Sequence, residues 1–324
     1  AKGRETLDRM VAEGVLQRDA APSYYAYRLT MGDHRQTGLV AVASVDAYDA
    51  DRVRKHEFTR PVKEDDRVRQ IEALNAQTGP VFLVYKADEA VDRLLNDATA
   101  SAAEVDVTAS RDGVRHELWP IRAPEVIAGL TQAFEAMEAI YVADGHHRSA
   151  AGSRVAATRR AANPNHDGSE GYNYFLSVIF PHDQMQILDY NRVVRDLNGL
   201  QPSEFLAHVG QAFDLAISDE PVRPEHSGQF GMYVDGQWYR LVLHDERIPQ
   251  EDPVGRLDVS LLQSNLIEPL LGITDPRRDD RVDFVGGIRG LGELEKRVDG
   301  GDWAVAFSLF PTSMEALMDV ADAG

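Results

Sequence analysis

Two short stretches of this chain concentrate side chains that can do chemistry. The first is Asp144-Gly145-His146-His147-Arg148, an acid, a glycine, two imidazoles and a guanidinium in consecutive positions. An apolar run over 139–143 leads into it and an alanine-rich stretch over 149–162 follows. The pattern predicts strand, tight turn, helix. The first N–H groups of a helix have no intrahelical acceptor and favour anions. Arg148 adds a planar fork of donors suited to phosphate oxygens. Gly145 lets the backbone turn sharply or approach a ligand closely. The second stretch is Lys55-His56-Glu57, followed by Thr59, Arg60, Lys63 and Arg67. Glu57 is a candidate general base, since a carboxylate within reach can take a proton from a reacting hydroxyl. His56 stands beside it as a second candidate. Thr59, Arg60, Lys63 and Arg67 supply cations and a hydroxyl that could support a substrate or its phosphate. The competing reading of this loop is a solvated charged surface.

A metal site is the rival for the first stretch. Adjacent His146 and His147 point differently, and the i, i+4 spacing of a helical zinc site is missing. Magnesium held by Asp144 together with substrate phosphates suits the residues better. The chain has no G-x-x-x-x-G-K-[ST], no G-x-G-x-x-G and no G-x-S-x-G, so the common nucleotide-binding and serine-hydrolase folds find no support.

The elements that must position these residues follow from periodicity. Helices are expected over 6–15, 46–54, 65–76, 87–95, 124–137 and 149–162. Strands are expected over 24–30, 38–45, 81–85, 114–119, 139–143 and 174–180, with 186–194 extended. After Pro202 a second lobe is expected. It has helices over 203–213, 259–271, 292–298 and 313–322, and strands over 229–234, 237–244, 282–285 and 304–310. Asp235-Gly236 is a strong hairpin turn. The fold class is mixed α/β (α+β), with hairpins as well as helix-linked strands. The division expected is 1–200 for the region carrying the chemistry and 201–324 for the second α/β lobe. Gly286-Gly287-Ile288-Arg289-Gly290 reads as a glycine-rich turn that could approach a ligand, and Phe310-Pro311-Thr312-Ser313 as a strand end and helix cap.

Composition bounds the partners. The chain has 324 residues and a formal charge of −19, with 34 Lys and Arg against 53 Asp and Glu. Such a surface attracts neither nucleic acid nor an anionic membrane. An anionic substrate must therefore be held by a local cluster of cations. No apolar run approaches the roughly 18 residues of a membrane span. The absence of cysteine removes disulfides, thiolate metal sites and thiol catalysis, and fits a cytoplasmic protein.

The motif order is informative as a whole. Tyr24-Tyr25-Ala26-Tyr27-Arg28 is followed by Gly38-Leu39-Val40-Ala41, His56-Glu57-Phe58-Thr59 with Asp66-Arg67, Gly79-Pro80-Val81-Phe82 and Ala143 to Arg148. Tyr190-Asn191-Arg192-Val193-Val194, Phe284-Val285-Gly286-Gly287 and Leu309-Phe310-Pro311-Thr312 come after. This order resembles domain-of-unknown-function family 1015, over essentially the whole chain. That family is similar to the free L-serine kinases of the ParB/sulfiredoxin-like superfamily, which phosphorylate the hydroxyl of free L-serine with ADP or ATP. The resemblance implies a ParB/sulfiredoxin-like core with insertions, Glu57 as catalytic base, and Asp144, Gly145, His146, His147 and Arg148 as the turn that holds nucleotide phosphates. It also implies native segments before and after this chain, because relatives carry a Pro-Tyr-Asp element earlier and a Lys-Ser-Thr or Lys-Thr-Thr element later. Sulfiredoxin chemistry needs a cysteine and is excluded.

The expected activity is transfer of a phosphoryl group from ATP or ADP, with Mg²⁺, to a small hydroxyl compound such as free L-serine. A non-catalytic nucleotide-binding regulatory module is one alternative. A metal-dependent phosphoesterase using His56, Glu57, His146 and His147 is the other. ADP versus ATP, the acceptor and the oligomeric state are not encoded in any spacing here.

Overall fold

A computed structural model describes residues 2–57 and 59–323; Phe58 of the His56-Glu57-Phe58-Thr59 motif lies outside them. The fold is mixed α/β and divides into two units, one ending at Gln186 and one running from Ile187 to Ala323.

The first unit opens with helix α1 (Lys2–Ala12) and a hairpin of β1 (Tyr24–Met31) and β2 (His34–Ser44). Then come α2 (Val45–Asp49), the short β3 (Val53–Arg54), α3 (Pro61–Leu74), β4 (Val81–Tyr85) and α4 (Glu89–Ala98). A second antiparallel pair, β5 (Val105–Thr108) and β6 (Arg115–Ile121), precedes α5 (Pro124–Ala136), β7 (Ile140–Asp144), α6 (His146–Ala162) and β8 (Tyr174–Pro181). The strands form one sheet in the order β3-β7-β4-β8-β2-β1-β6-β5. The pairs β3–β7 and β4–β8 are parallel and the others antiparallel. Leu39, Leu83, Val142, Phe175 and Ile179 from the strands pack with Val91 of α4 and Leu130 of α5. That burial is what holds the central strands rigid beneath the site.

Gly38 is where β2 comes closest to its neighbours. A Cβ there would meet the carbonyl oxygen of Ile179 and lie 2.7 Å from the Phe180 ring. Backbone in the sheet centre cannot yield as a surface side chain would. Gly38→Ala is expected to destabilise the fold by about 3 kcal/mol, as overpacking does, and to lower Tm by roughly 5–10 °C. Thermal unfolding checks it; an unchanged Tm would show that the strands part at little cost.

Helices α3 and α6 carry the two chemical stretches and are tied together. Arg154 of α6 meets Glu64 at 3.2 Å and Asp65 at 2.8 Å, and Arg159 meets Glu72 at 3.2 Å. Such exposed pairs contribute little stability each, but together they fix how the two helices lie.

The second unit begins with β9 (Tyr190–Val194), α7 (Pro202–Val209) and β10 (Phe213–Ser218). The hairpin of β11 (Gln229–Val234) and β12 (Gln237–Leu243) turns at Asp235-Gly236, both at positive φ, as a primed two-residue turn requires. A helical segment follows: α8 (Asp258–Leu262), a π-helical turn (Gln263–Ile267) and α9 (Glu268–Leu271). It is followed by β13 (Val282–Gly286), α10 (Gly292–Asp299), β14 (Val305–Leu309) and α11 (Met314–Ala323). This sheet is antiparallel, in the order β10-β12-β11-β14-β9-β13. One face packs on α7 and the α8–α9 segment, the other on α10.

Several expectations are corrected. The division falls after Gln186 rather than at 200, because β9 pairs with β13 and β14 of the second sheet. Helix α3 starts at Pro61, not Asp65, with the proline at its first position, where its missing N–H costs nothing. Helix α2 is capped by the Ser44 hydroxyl, which accepts from the Ala47 N–H, and stops at Asp49. Helix α7 starts at Pro202 with a box of Gln201 and Glu204 and ends at Val209 rather than 213, so Phe213 begins β10. Among the described residues no helix is long and apolar enough to cross a membrane.

Candidate active site

Strand β7 delivers Asp144 at its end, and Gly145 reverses the chain with φ +99°. A Cβ at Gly145 would lie 3.2 Å from Arg148 Nε and 3.4 Å from Val81 Cα. Both the dihedral and the crowding call for glycine there. Helix α6 starts immediately, at His146 rather than at Ser149, so His146, His147 and Arg148 form its first turn. Their side chains take three different paths. His146 is buried, with 3% of its side chain exposed, and its Nδ1 lies 3.7 Å from Glu57 Oε2. His147 Nε2 accepts the backbone N–H of Arg60 at 3.0 Å, which fastens the loop before α3 to the turn. Arg148 Nη2 donates to Asp144 Oδ2 at 2.6 Å, and its Nη1 donates to the Pro80 carbonyl.

These groups surround one open cavity of about 480 Å³. Its lining includes Glu57, Lys63, Arg67 and all of Asp144 to Arg148. Among the described residues it carries four cationic side chains, Lys63, Arg67, Arg69 and Arg148, against three carboxylates, Glu57, Asp66 and Asp144. On a chain of charge −19 this is a local reversal of sign, placed at a helix N-terminus where an anion is already favoured. A smaller cavity of about 270 Å³ adjoins it, sharing Arg67 and Arg148 and lined also by Gln70, Thr78 and Gly79. Glu57 has 62% of its side chain exposed, so its carboxylate is open to a ligand.

Thr59 and Arg60 are not part of this lining. The Thr59 hydroxyl is bonded to Glu64, and Arg60 contributes its backbone N–H to His147. Arg69, which the sequence reading passed over, does line the cavity. It lies one helical turn beyond Asp66, to which it is paired at 3.6 Å, and that i, i+3 spacing from Asp66 was the available signal.

The buried His146 and the half-buried His56 are unusual. The rings of His56 and His146 meet edge to face at 4.5 Å. His56 Nδ1 and His146 Nε2 are buried without a hydrogen-bond partner among the described residues. Burial pushes the pKa of His146 down to about 4, and neighbouring His56 adds to the effect against the opposing pull of Asp144. Burial likewise lowers His56, with Glu57 opposing. Both are neutral at pH 7, and each has the capacity for one more hydrogen bond. In the unfolded chain both would bind protons near pH 6.5, so the unfolded state takes up protons first as pH falls. Stability is therefore full above about pH 6.5 and is lost as pH drops toward 4. Allowing for screening at the cavity mouth, the loss is on the order of 1–3 kcal/mol. Urea unfolding at a series of pH values is expected to show it, and His146→Asn to flatten it. Parallel curves for the two proteins would contradict this.

Asp144 is the expected magnesium ligand. Its carboxylate is 71% exposed, and one oxygen is already engaged by Arg148. Among the described residues no three His, Asp or Glu side chains converge as a metal cage. That arrangement suits a hard cation bound chiefly by phosphates and water with one protein carboxylate.

No curated protein matches the chain. Among solved structures, a conserved hypothetical protein from Pyrococcus furiosus is 10% identical over 88% of this chain and 85% of that one, with a TM-score of 0.36. A free serine kinase in complex with AMP is 10% identical over 88% and 82%, with a TM-score of 0.38. SbnI with a C-terminal truncation, from Staphylococcus aureus, is 12% identical over 88% and 78%, with a TM-score of 0.40. A family described as protein of unknown function (DUF1015) matches residues 1–260. The match takes in the HE and DGHHR motifs and YNRVV, and it stops before the FVGG and LFPT motifs. On that match, extending over most of its length, the chain belongs to the DUF1015 family.

Proposed function

We propose that this protein is a nucleotide-dependent kinase that phosphorylates the hydroxyl of a small metabolite, with free L-serine the first acceptor to try. The observation that carries the reading is a single cavity lined by an exposed carboxylate, a helix N-terminus and four cations. Phosphoryl transfer asks for little covalent chemistry from a protein. It needs the donor's charge neutralised, the acceptor aligned and a base for the hydroxyl proton. In this reading the N–H groups at the start of α6, with Arg148, Lys63 and Arg67, hold the phosphates of ATP or ADP. Glu57 takes the proton as the acceptor oxygen bonds to the terminal phosphorus and the bond to the leaving nucleotide breaks. His146 and His56 position Glu57, and Thr59 and Arg60 support the loop that carries it. Asp144 would hold Mg²⁺ together with phosphate oxygens, and the ion would neutralise charge on them. The first unit is the catalytic region, and a cytoplasmic setting, where nucleotides and free amino acids abound, suits the chemistry. The net charge of −19 argues against a nucleic-acid partner.

The phosphoesterase reading loses support because His147 is turned toward Arg60 and cannot join His56 and His146 on one ion without leaving that bond. Consumption of ADP or ATP, measured with and without L-serine in the presence of Mg²⁺, separates the three readings. A kinase consumes nucleotide when an acceptor is present. A hydrolase consumes the nucleotide, or a phosphate ester offered in its place, without any acceptor. A regulatory module binds nucleotide and leaves it whole.

A further inference from the structure

The second unit contains a charged group that the chemistry above does not use. Arg192, in β9, has 9% of its surface exposed. Its guanidinium lies 5.1 Å from the centre of the Tyr190 ring and 4.6 Å from that of Phe284, the residue opposite it on β13. Those two rings are themselves stacked, 5.1 Å apart and 7° from parallel. The only acceptors Arg192 has among the described residues are the backbone carbonyls of Tyr190 and Asn191, both reached by Nη1. Among the described residues no carboxylate pairs with it. Asp189, the nearest acid in sequence, is taken by the Asn191 amide at 2.5 Å and faces Arg223 at 3.7 Å. Residues 189 and 191 also alternate to the opposite side of the strand from 190 and 192. Burial lowers the Arg192 pKa to about 10.

A guanidinium taken out of water without an anion is costly, and natural proteins rarely bury one unpaired. Aromatic faces offset part of that cost; Nε and Nη2 find no acceptor among the described residues and stand at the edge of the buried region, open to solvent or a ligand. There is also room beside it. Gly286 is the partner of Tyr190 across the β9–β13 pair, it shares its side of the sheet with Phe284, and a Cβ there would meet nothing within 4 Å. Tyr190 is half exposed, and Ile288 on the next turn is 74% exposed. Strand β14, the other neighbour of β9, ends at Leu309, whose N–H is held by the Asn191 side chain at 3.0 Å. The YNRVV, FVGG and LFPT motifs therefore meet at one end of the second sheet, around an unpaired buried cation and an open space.

We propose that Arg192 is the centre of a second ligand site, in which its guanidinium fork binds the carboxylate of a small molecule lying over Gly286 beside Tyr190. A planar carboxylate matches the two free donor directions of a guanidinium, and the open space over the strand glycine leaves room for a small ligand. The proposal rests on the kinase reading only for its first probe, L-serine.

Calorimetry on the full chain tests it, with L-serine, L-serinamide and inorganic phosphate as titrants and no nucleotide present. L-Serine is expected to bind, and L-serinamide, which lacks the carboxylate, at least about tenfold more weakly. Two variants localise the site. Arg192→Lys keeps the charge and loses the planar fork. Gly286→Leu fills the open space at a backbone φ of −63°, which any residue adopts. Each is expected to weaken L-serine binding at least about tenfold, and Gly286→Leu to do so with unchanged Tm. Equal binding of L-serine and L-serinamide, wild-type affinity in Gly286→Leu, or no binding of L-serine to the wild type would overturn the proposal. Phosphate binding in place of L-serine would overturn the carboxylate assignment. L-Serine binding that depends on Arg192 without any nucleotide consumption would refute the kinase reading alone. Phosphoryl transfer to serine that is indifferent to both variants would refute this site alone.

Discussion

Glu57→Gln is expected to lower turnover at least about 100-fold while leaving nucleotide affinity within about twofold. Loss of a general base typically costs two to four orders of magnitude. The amide is nearly the same size and can still accept a hydrogen bond, so what it loses is the capacity to take a proton. The geometry makes the separation clean. Glu57 is exposed to the cavity and touches His146 only at 3.7 Å, so no phosphate-binding group depends on it for its position. The readout is kcat with saturating nucleotide and acceptor, set beside calorimetry of the nucleotide alone. Turnover equal to that of the wild type would remove Glu57 as the base. A loss of affinity equal to the loss of turnover would make it a binding residue instead.

Arg148→Ala is expected to weaken nucleotide binding roughly 10–100-fold, the scale of a lost charge-assisted hydrogen bond. The guanidinium spends one nitrogen on Asp144 and one on the Pro80 carbonyl. Those two bonds fix its plane at the junction of the two cavities, so the remaining donors are already aimed when a phosphate arrives. Removing the side chain also frees the Asp144 carboxylate as an uncompensated negative charge at the phosphate site, which adds to the loss. Arg148→Lys keeps the charge without the fork and is expected to fall between the two. Calorimetric affinity unchanged in Arg148→Ala would place the phosphates elsewhere.

The residues of the candidate site were legible because their chemistry is local. A strand running into Asp-Gly and on into an alanine-rich helix announces its own turn, and the positive φ of Gly145 is what that glycine was for. The Asp235-Gly236 hairpin was legible for the same reason. What could not be read is what depends on distant pairing. Strand β5 alternates apolar and polar residues over only four positions, is exposed throughout and owes its existence to pairing with β6 at the sheet edge, so its pattern is too short to announce it. Strand β9 looks like a continuation of the first region, and only its pairing with β13 and β14 assigns it to the second unit. Thr59 could not be known to turn toward Glu64, nor Arg60 to offer its backbone rather than its charge, because both depend on where α3 begins. The Pro61 start moved that point forward by a turn, and Lys63 and Arg67 came onto one side of a helix, i and i+4, over the cavity.

The single most direct test is mass spectrometry of the products formed by the protein with Mg²⁺, ADP or ATP, and a panel of free amino acids and small alcohols, run beside Glu57→Gln. The account predicts one phosphorylated acceptor, phosphoserine first among them, formed by the wild type and reduced at least about 100-fold in the variant. Nucleotide bound at the cavity with no phosphorylated acceptor from any member of the panel would contradict it.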